Sequence, residues 1–194
     1  PFCRSWDLRP ILRYGFHPAI GFTDASAPKH AEVAILQATK LLAIATTFHA
    51  GGQGLLHGLV FLSPYFEGKE YKEIKQLIQM LVYELNQMLV SRGGQTVFSS
   101  INLTPGCPTI LEKVRAVRAG KILDQTYSDF EREIRMGFKA FMEVSLEGDQ
   151  FGKMFPFPKL ELAIEKKFLA EEYHELMLMA FKIAAKTGGI YFDN

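Results

Sequence analysis

Between Tyr71 and Leu89 the apolar residues Ile74, Leu77, Ile78, Leu81, Val82, Leu85, Met88 and Leu89 fall at the three-and-four spacing of one helix face. Charged and amide residues fill the gaps, so the pattern predicts an amphipathic helix over the whole segment. A second run, Lys29 to about His49, places Val33, Leu36, Lys40/Leu41 and Ile44 at helical spacing behind Pro28, a favoured entry to a first turn. Its many alanines suit tight packing. Further on, Ser128 and Glu131 have the spacing of a capping box ahead of Phe130, Ile134, Phe138, Phe141 and Met142, a helix expected to stop near Gly148. Ala170 to Lys186 then sets Tyr173, Leu176, Met177, Ala180, Phe181 and Ala184 on one face before Gly188-Gly189.

Elsewhere the period shortens to two. Thr96 to Leu103 alternates β-branched and aromatic residues with small polar ones, Pro156 to Ala163 reads as a short strand, and Ile190-Tyr191-Phe192 starts another. Gly51-Gly52-Gln53-Gly54 is expected to break the chain, and the apolar stretch from Leu55 to Phe66, closed by Pro64 and Gly68, shows no decisive period. Thr104-Pro105-Gly106-Cys107-Pro108 carries turn chemistry and leads into a long connection. Strand, helix, strand, helix, strand at this spacing argues parallel βα units rather than hairpins, so the fold class is α/β, with a helix-rich first half packed outside or beside the sheet.

Composition narrows the function. The 194 residues are 48% hydrophobic and 22% charged, enough to bury one sizeable core. A formal charge of +1 gives no field for a nucleic acid polymer. The apolar runs are too short for a membrane span and the N-terminus lacks a signal-peptide layout, which together favour a cytoplasmic protein. Two cysteines, Cys3 and Cys107, are too few for a disulfide framework or a four-ligand zinc site, so no metal site is expected. Cys107 lies in a turn and reads as incidental. His49 and His57 flank the glycine break without a ligand partner at metal spacing, and Gly52-Gln53-Gly54-Leu55-Leu56-His57 fails the dinucleotide fingerprint at its last glycine.

The most informative stretch is Ser91-Arg92-Gly93-Gly94-Gln95 running straight into Thr96-Val97-Phe98-Ser99-Ser100-Ile101-Asn102-Leu103. Paired glycines let backbone N–H groups approach an anion or a sugar, Arg92 and Gln95 add a charge and an amide, and Ser99, Ser100 and Asn102 offer hydroxyl and amide groups. A glycine pair after a helix is also simply a helix stop. Read with the helix ending Tyr83-Glu84-Leu85-Asn86, this wording resembles the anaerobic, glycyl-radical ribonucleotide reductases. Phe2-Cys3 with Asp7-Leu8-Arg9 and Gly15-Phe16, the Pro28-Lys29-His30 helix start, Phe155-Pro156-Phe157-Pro158-Lys159-Leu160 and the closing Gly188 to Asn194 resemble the same family in the same order.

The resemblance implies the first half of a ten-stranded α/β barrel: a single partial catalytic domain, with an effector and dimer region at about residues 28–90 and βα units at about residues 91–194. It implies that Cys3, which composition alone would equally allow as a small buried hydrophobe, lies beneath the ribose and donates a hydrogen atom as the 2′-hydroxyl is lost. It implies that Ser91, Arg92, Gly93, Gly94, Gln95, Ser99, Ser100 and Asn102 cradle a ribonucleoside triphosphate. It further implies a homodimer built on the long helices, with a nucleotide effector contacted by Lys29, Gln37, Lys40, Lys72 and Lys75. The glycyl radical, made by a radical S-adenosylmethionine/iron–sulfur activating enzyme, the thiyl-forming cysteine and a structural zinc are expected outside this stretch, which alone would be inactive. The alternatives are a non-catalytic nucleotide-binding regulator or a helical dimerisation module.

Overall fold

The computed structural model describes residues 2–18, 21, 23–89 and 94–193. In chain order the elements are β1 (Arg4–Trp6), α1 (Arg9–Tyr14), α2 (Ala31–Phe48), β2 (Gln53–Leu55), α3 (Gly58–Leu62), α4 (Tyr71–Gln87) and β3 (Ser99–Leu103), then β4 (Arg115–Arg118), β5 (Lys121–Thr126), α5 (Glu131–Glu147), β6 (Lys159–Ala163), α6 (His174–Thr187) and β7 (Ile190–Asp193). Five strands form a parallel sheet in the order β1-β2-β3-β6-β7. Spatial order follows chain order with no reversal. With right-handed crossovers, such a winding sends every connecting helix to one face of the sheet and leaves the other bare.

Residue parity confirms the asymmetry. Leu55, Ile101, Leu103, Leu160, Leu162 and Ile190 point to the helical side and join the core. Their neighbours along the strands, Ser5, Gly54, Ser100, Asn102, Lys159, Glu161 and Tyr191, occupy the opposite face. On the covered side α5 packs against both α4 and α6, burying Ile134, Phe138 and Phe141. The α4 stripe is buried as its period requires at Ile74, Leu77, Ile78, Leu81, Val82 and Leu85, behind a capping box in which the Glu73 carboxylate accepts the Glu70 N–H at 2.8 Å. By length and hydropathy α2 would suit a membrane span, yet 56% of it is buried inside this fold.

Several expectations are corrected. Gly51-Gly52-Gln53-Gly54 does not simply break the chain: Gln53, Gly54 and Leu55 form β2, between β1 and β3. Fully buried Gln53 is satisfied there, its Oε1 accepting Trp6 Nε1–H at 2.9 Å and its Nε2 donating to the Gly51 carbonyl at 2.9 Å. The stretch after it is α3 followed by a 3-10 turn, Ser63–Phe66, all of it buried. The long connection holds an antiparallel hairpin, β4 with β5, against the expectation of parallel units alone. The cap before α5 is Thr126 with Asp129, whose carboxylate accepts the Thr126 N–H at 2.7 Å, not Ser128 with Glu131. Ser128 instead donates to the Glu112 carbonyl at 2.9 Å. Pro28 stands outside α2, whose N-cap is His30. The strands expected from Thr96 and Pro156 begin only at Ser99 and Lys159.

Candidate functional site

The bare face of the sheet is a slot of about 520 Å³. Cross-strand register sets its rows. Ser5, Gly54, Ser100 and Lys159 are aligned side by side across β1, β2, β3 and β6, and one step further along lie Asn102, Glu161 and Tyr191. Cys3, exposed and one residue ahead of β1, shares the face of Ser5 by parity and lines the slot at its β1 edge. Gly52 and Gly54 make the floor beside it. A Cβ on Gly54 would stand 2.6 Å from Ser100 Oγ and 3.4 Å from Ser5 Oγ, and one on Gly51 would stand 2.6 Å from Cys3 Sγ. The glycines thus keep a trough of bare backbone between two hydroxyls, next to a thiol. Phe98 closes the trough on the β3 side, its ring 5.3 Å from that of Phe157.

The residues picked out in the sequence separate into groups. Cys3 and Ser100 meet in the slot, and Asn102 lies one row on, its Oδ1 buried without a hydrogen-bond partner. Ser99 is turned the other way: it is 1% exposed and its hydroxyl donates to the Val97 carbonyl at 2.9 Å, so Ser99 and Ser100 do not aim their hydroxyls at one point. Adjacent residues on a strand cannot share a face. Gly94 and Gln95 border a neighbouring cavity of about 430 Å³ that shares Phe98 with the slot. Ser91, Arg92 and Gly93 lie outside the described residues. Lys159, Glu161, Tyr191, Asp193 and the glycine floor were not singled out in the sequence, although the alternation Lys-Leu-Glu-Leu-Ala already marks Lys159 and Glu161 as opposite to the core.

The helical residues do not converge either. Gln37 and Lys40 border an apolar cavity of about 700 Å³ along α2, shared with Val33, Leu36, Ile44 and Phe48. Gln37 is buried and its Nε2 donates to the Ser26 carbonyl at 3.1 Å. Lys75 instead binds Glu143 at 2.9 Å and Glu147 at 2.5 Å on α5, hydrogen bonding that raises its pKa, while Lys29 and Lys72 are exposed.

Cys107 is chemically quiet. It is 2% exposed, and burial, reinforced by the Glu131 charge, pushes its thiol up to about 12. Its backbone is clamped, the N–H by Glu131 at 2.7 Å and the carbonyl by Lys167 Nζ, while Tyr173 OH donates to the second Glu131 oxygen at 2.8 Å. His57, half-buried and left-handed at φ 49°, has its pKa lowered by burial.

A singly wound parallel sheet, with helices on one side and a polar, glycine-floored face with a thiol on the other, defines an α/β domain with an open polar face. The model of the anaerobic ribonucleoside-triphosphate reductase family matches residues 1–194, and the chain belongs to that family. Its members are oxidoreductases. Among solved structures, the anaerobic ribonucleotide reductase from Thermotoga maritima with dATP in the specificity site matches with a TM-score of 0.76 at 20% identity, over 100% of this chain and 34% of that one. The same enzyme with dATP and CTP matches at 0.76 and 22%, over 100% and 33%, and with citrate in the active site at 0.74 and 21%, over 100% and 35%. The chain therefore spans about a third of the length of these relatives. No match was found among curated proteins.

Proposed function

We propose that this chain is the substrate-holding part of an anaerobic reductase that converts ribonucleoside triphosphates to deoxyribonucleoside triphosphates by radical chemistry. One observation carries the reading: the exposed Cys3 thiol stands at the edge of the bare face, above a glycine floor and beside Ser5 and Ser100. A ribose laid on bare backbone comes close to that sulfur, and a thiol suits hydrogen-atom transfer to a carbon radical because its S–H bond is weak. As the protonated 2′-hydroxyl leaves as water, Cys3 gives its hydrogen atom to the resulting ribose carbon radical and becomes a sulfur radical, which an external reductant, formate or a thiol redox protein, returns to the thiol. Ser5 and Ser100 hold sugar hydroxyls.

The initiating one-electron chemistry is supplied by a glycyl radical, generated by a radical S-adenosylmethionine/iron–sulfur activating enzyme, outside the residues described. Among the described residues no three His, Cys, Asp or Glu side chains gather to hold a metal; the structural zinc is proposed to belong to another part of the longer enzyme. The relatives' bound dATP and CTP support nucleotides as both effector and substrate here. The apolar cavity along α2 is proposed as the homodimer contact, with Gln37 and Lys40 at its effector edge. The cytoplasm is the compartment this reading requires.

The test is Cys3→Ser in the full-length natural chain, activated anaerobically. Deoxynucleotide formation is expected to vanish while nucleotide binding stays within about threefold of the parent, less than 1 kcal/mol. Retained turnover would remove Cys3 from the reaction.

A further inference from the structure

The bare face carries a charge whose role the reading above does not use. Lys159, the first residue of β6, lies in the same cross-strand row as Ser100, Gly54 and Ser5 and lines the same slot as Cys3. Among the described residues no carboxylate lies within ion-pair distance of its ammonium, whose one recorded contact is the Phe157 ring, 5.8 Å away. Four of the fourteen lysines, Lys69, Lys75, Lys139 and Lys167, reach a glutamate within 4 Å, so an unpaired lysine is ordinary here and Lys159 is set apart by its place in the slot. Glu161, two residues along on the same face, is likewise without a cation and shares its row with Asn102 and Tyr191.

A half-covered cation lining a polar slot, with no carboxylate among the described residues in ion-pair contact, is free to meet an anion from outside the segment. The row supplies what an oxyanion needs besides charge: the Ser100 hydroxyl on the adjacent strand, with a glycine beyond it so that nothing bulky intervenes. Distance fits as well. Strands are about 4.8 Å apart, so β6 is about 14 Å across the sheet from the strand that carries Cys3. A ligand whose sugar rests over Cys3 and the glycine floor and whose phosphate chain runs along the row ends at Lys159.

We propose that Lys159 holds an oxyanion of the ligand, with Ser100 as the neutral partner, and so fixes the direction in which that ligand crosses the sheet. The shared chemistry is an oxyanion, supplied either by the phosphates of a nucleotide or by a free small carboxylate. The proposal rests on the substrate reading above only for the first source.

The experiment measures equilibrium binding of a ribonucleoside triphosphate, the matching nucleoside and citrate to the full-length natural chain and its K159Q and K159R variants, with melting temperature alongside. K159Q is expected to weaken the triphosphate about ten- to a hundredfold, the range of one charge-assisted hydrogen bond, and K159R to restore it to within about threefold. Nucleoside binding should not change. Loss of citrate binding in K159Q with the triphosphate unaffected upholds the oxyanion site and identifies a free carboxylate as its occupant. Citrate binding that depends on Lys159 in a parent chain that ignores nucleotides upholds Lys159 and defeats the substrate reading. Unchanged binding of both anions in K159Q overturns the proposal, above all if the melting temperature falls, because Lys159 then serves as an ion-pair partner within the longer protein.

Discussion

Gly54→Val tests the floor of the slot directly. Gly54 is a fully paired residue of β2 outside the left-handed region, so the effect of a side chain there is decided by space rather than by backbone strain. The first carbon alone would stand 2.6 Å from Ser100 Oγ and 3.4 Å from Ser5 Oγ, well inside contact distance. Ser100 must leave its rotamer or the strands must part. Overpacking of this kind costs about 1–3 kcal/mol, offset by about 1 kcal/mol from replacing a strand glycine with a β-branched residue. The net loss of about 0–2 kcal/mol corresponds to a fall in melting temperature of at most about 8 °C for a domain of this size.

Binding should suffer more than stability. The valine methyls fill the trough and push the Ser100 hydroxyl away, so affinity for a ribonucleoside triphosphate is expected to fall at least about thirtyfold, or 2 kcal/mol. Calorimetric titration of the full-length chain, with thermal melts of the same preparations, measures both. A Gly54→Val protein that binds the triphosphate as tightly as its parent would refute the placement of the ligand on this face, whatever its melting temperature.

Other changes probe the clamp and the thiols. Glu131→Ala removes the acceptor of both the Cys107 N–H and the Tyr173 hydroxyl, leaving two donors unsatisfied; a loss of about 2–4 kcal/mol is expected in chemical denaturation. At pH 8, with the protein folded, iodoacetamide should label the exposed Cys3 and leave the buried Cys107 untouched, as read by mass spectrometry of peptides. Because the folded Cys107 thiol is raised from 9.0 to about 12, the folded state keeps a proton that the unfolded chain loses, and stability is undiminished below pH 9 and falls from there toward pH 12. The slope reaches about 1.4 kcal/mol per pH unit for this group, and the buried Tyr127, raised by the same desolvation, adds to it at higher pH. A Cys107→Ala variant should flatten the early part of that decline.

Helices α4, α5 and α6 were legible in the sequence because a helix records its environment locally: which face is buried is written every three or four residues, as in the Ile74 to Leu85 stripe. Helix α2 was legible as a helix but not in its face: Val33 and Leu36 are 39% and 40% exposed and Lys40 is exposed, while Ala34, Ile35, Ala38 and Leu42 are buried, because its small alanines let the neighbouring elements pack close. The wording around Cys3, from Ser91 to Leu103 and from Phe155 to Leu160 likewise pointed to the family without any coordinates. Strand β2 was not legible, because its Gln-Gly-Leu has no propensity for a strand; it is one only because β1 and β3 arrive on either side and Trp6 satisfies Gln53. The β4–β5 hairpin and the Thr126–Asp129 cap were missed for a different reason, each being set by local turn chemistry inside a segment with weak hydrophobic period. The site was divided in the same way. Sequence alternation can say that Lys159 and Glu161 share a face, and that Ser100 and Asn102 share one, but not that the two faces are the same. That depends on parallel register between strands some 60 residues apart and on the common hand of the crossovers, which together leave one side of the sheet bare. Only the folded chain brings Cys3, the glycine floor, Ser100 and Lys159 into a single slot.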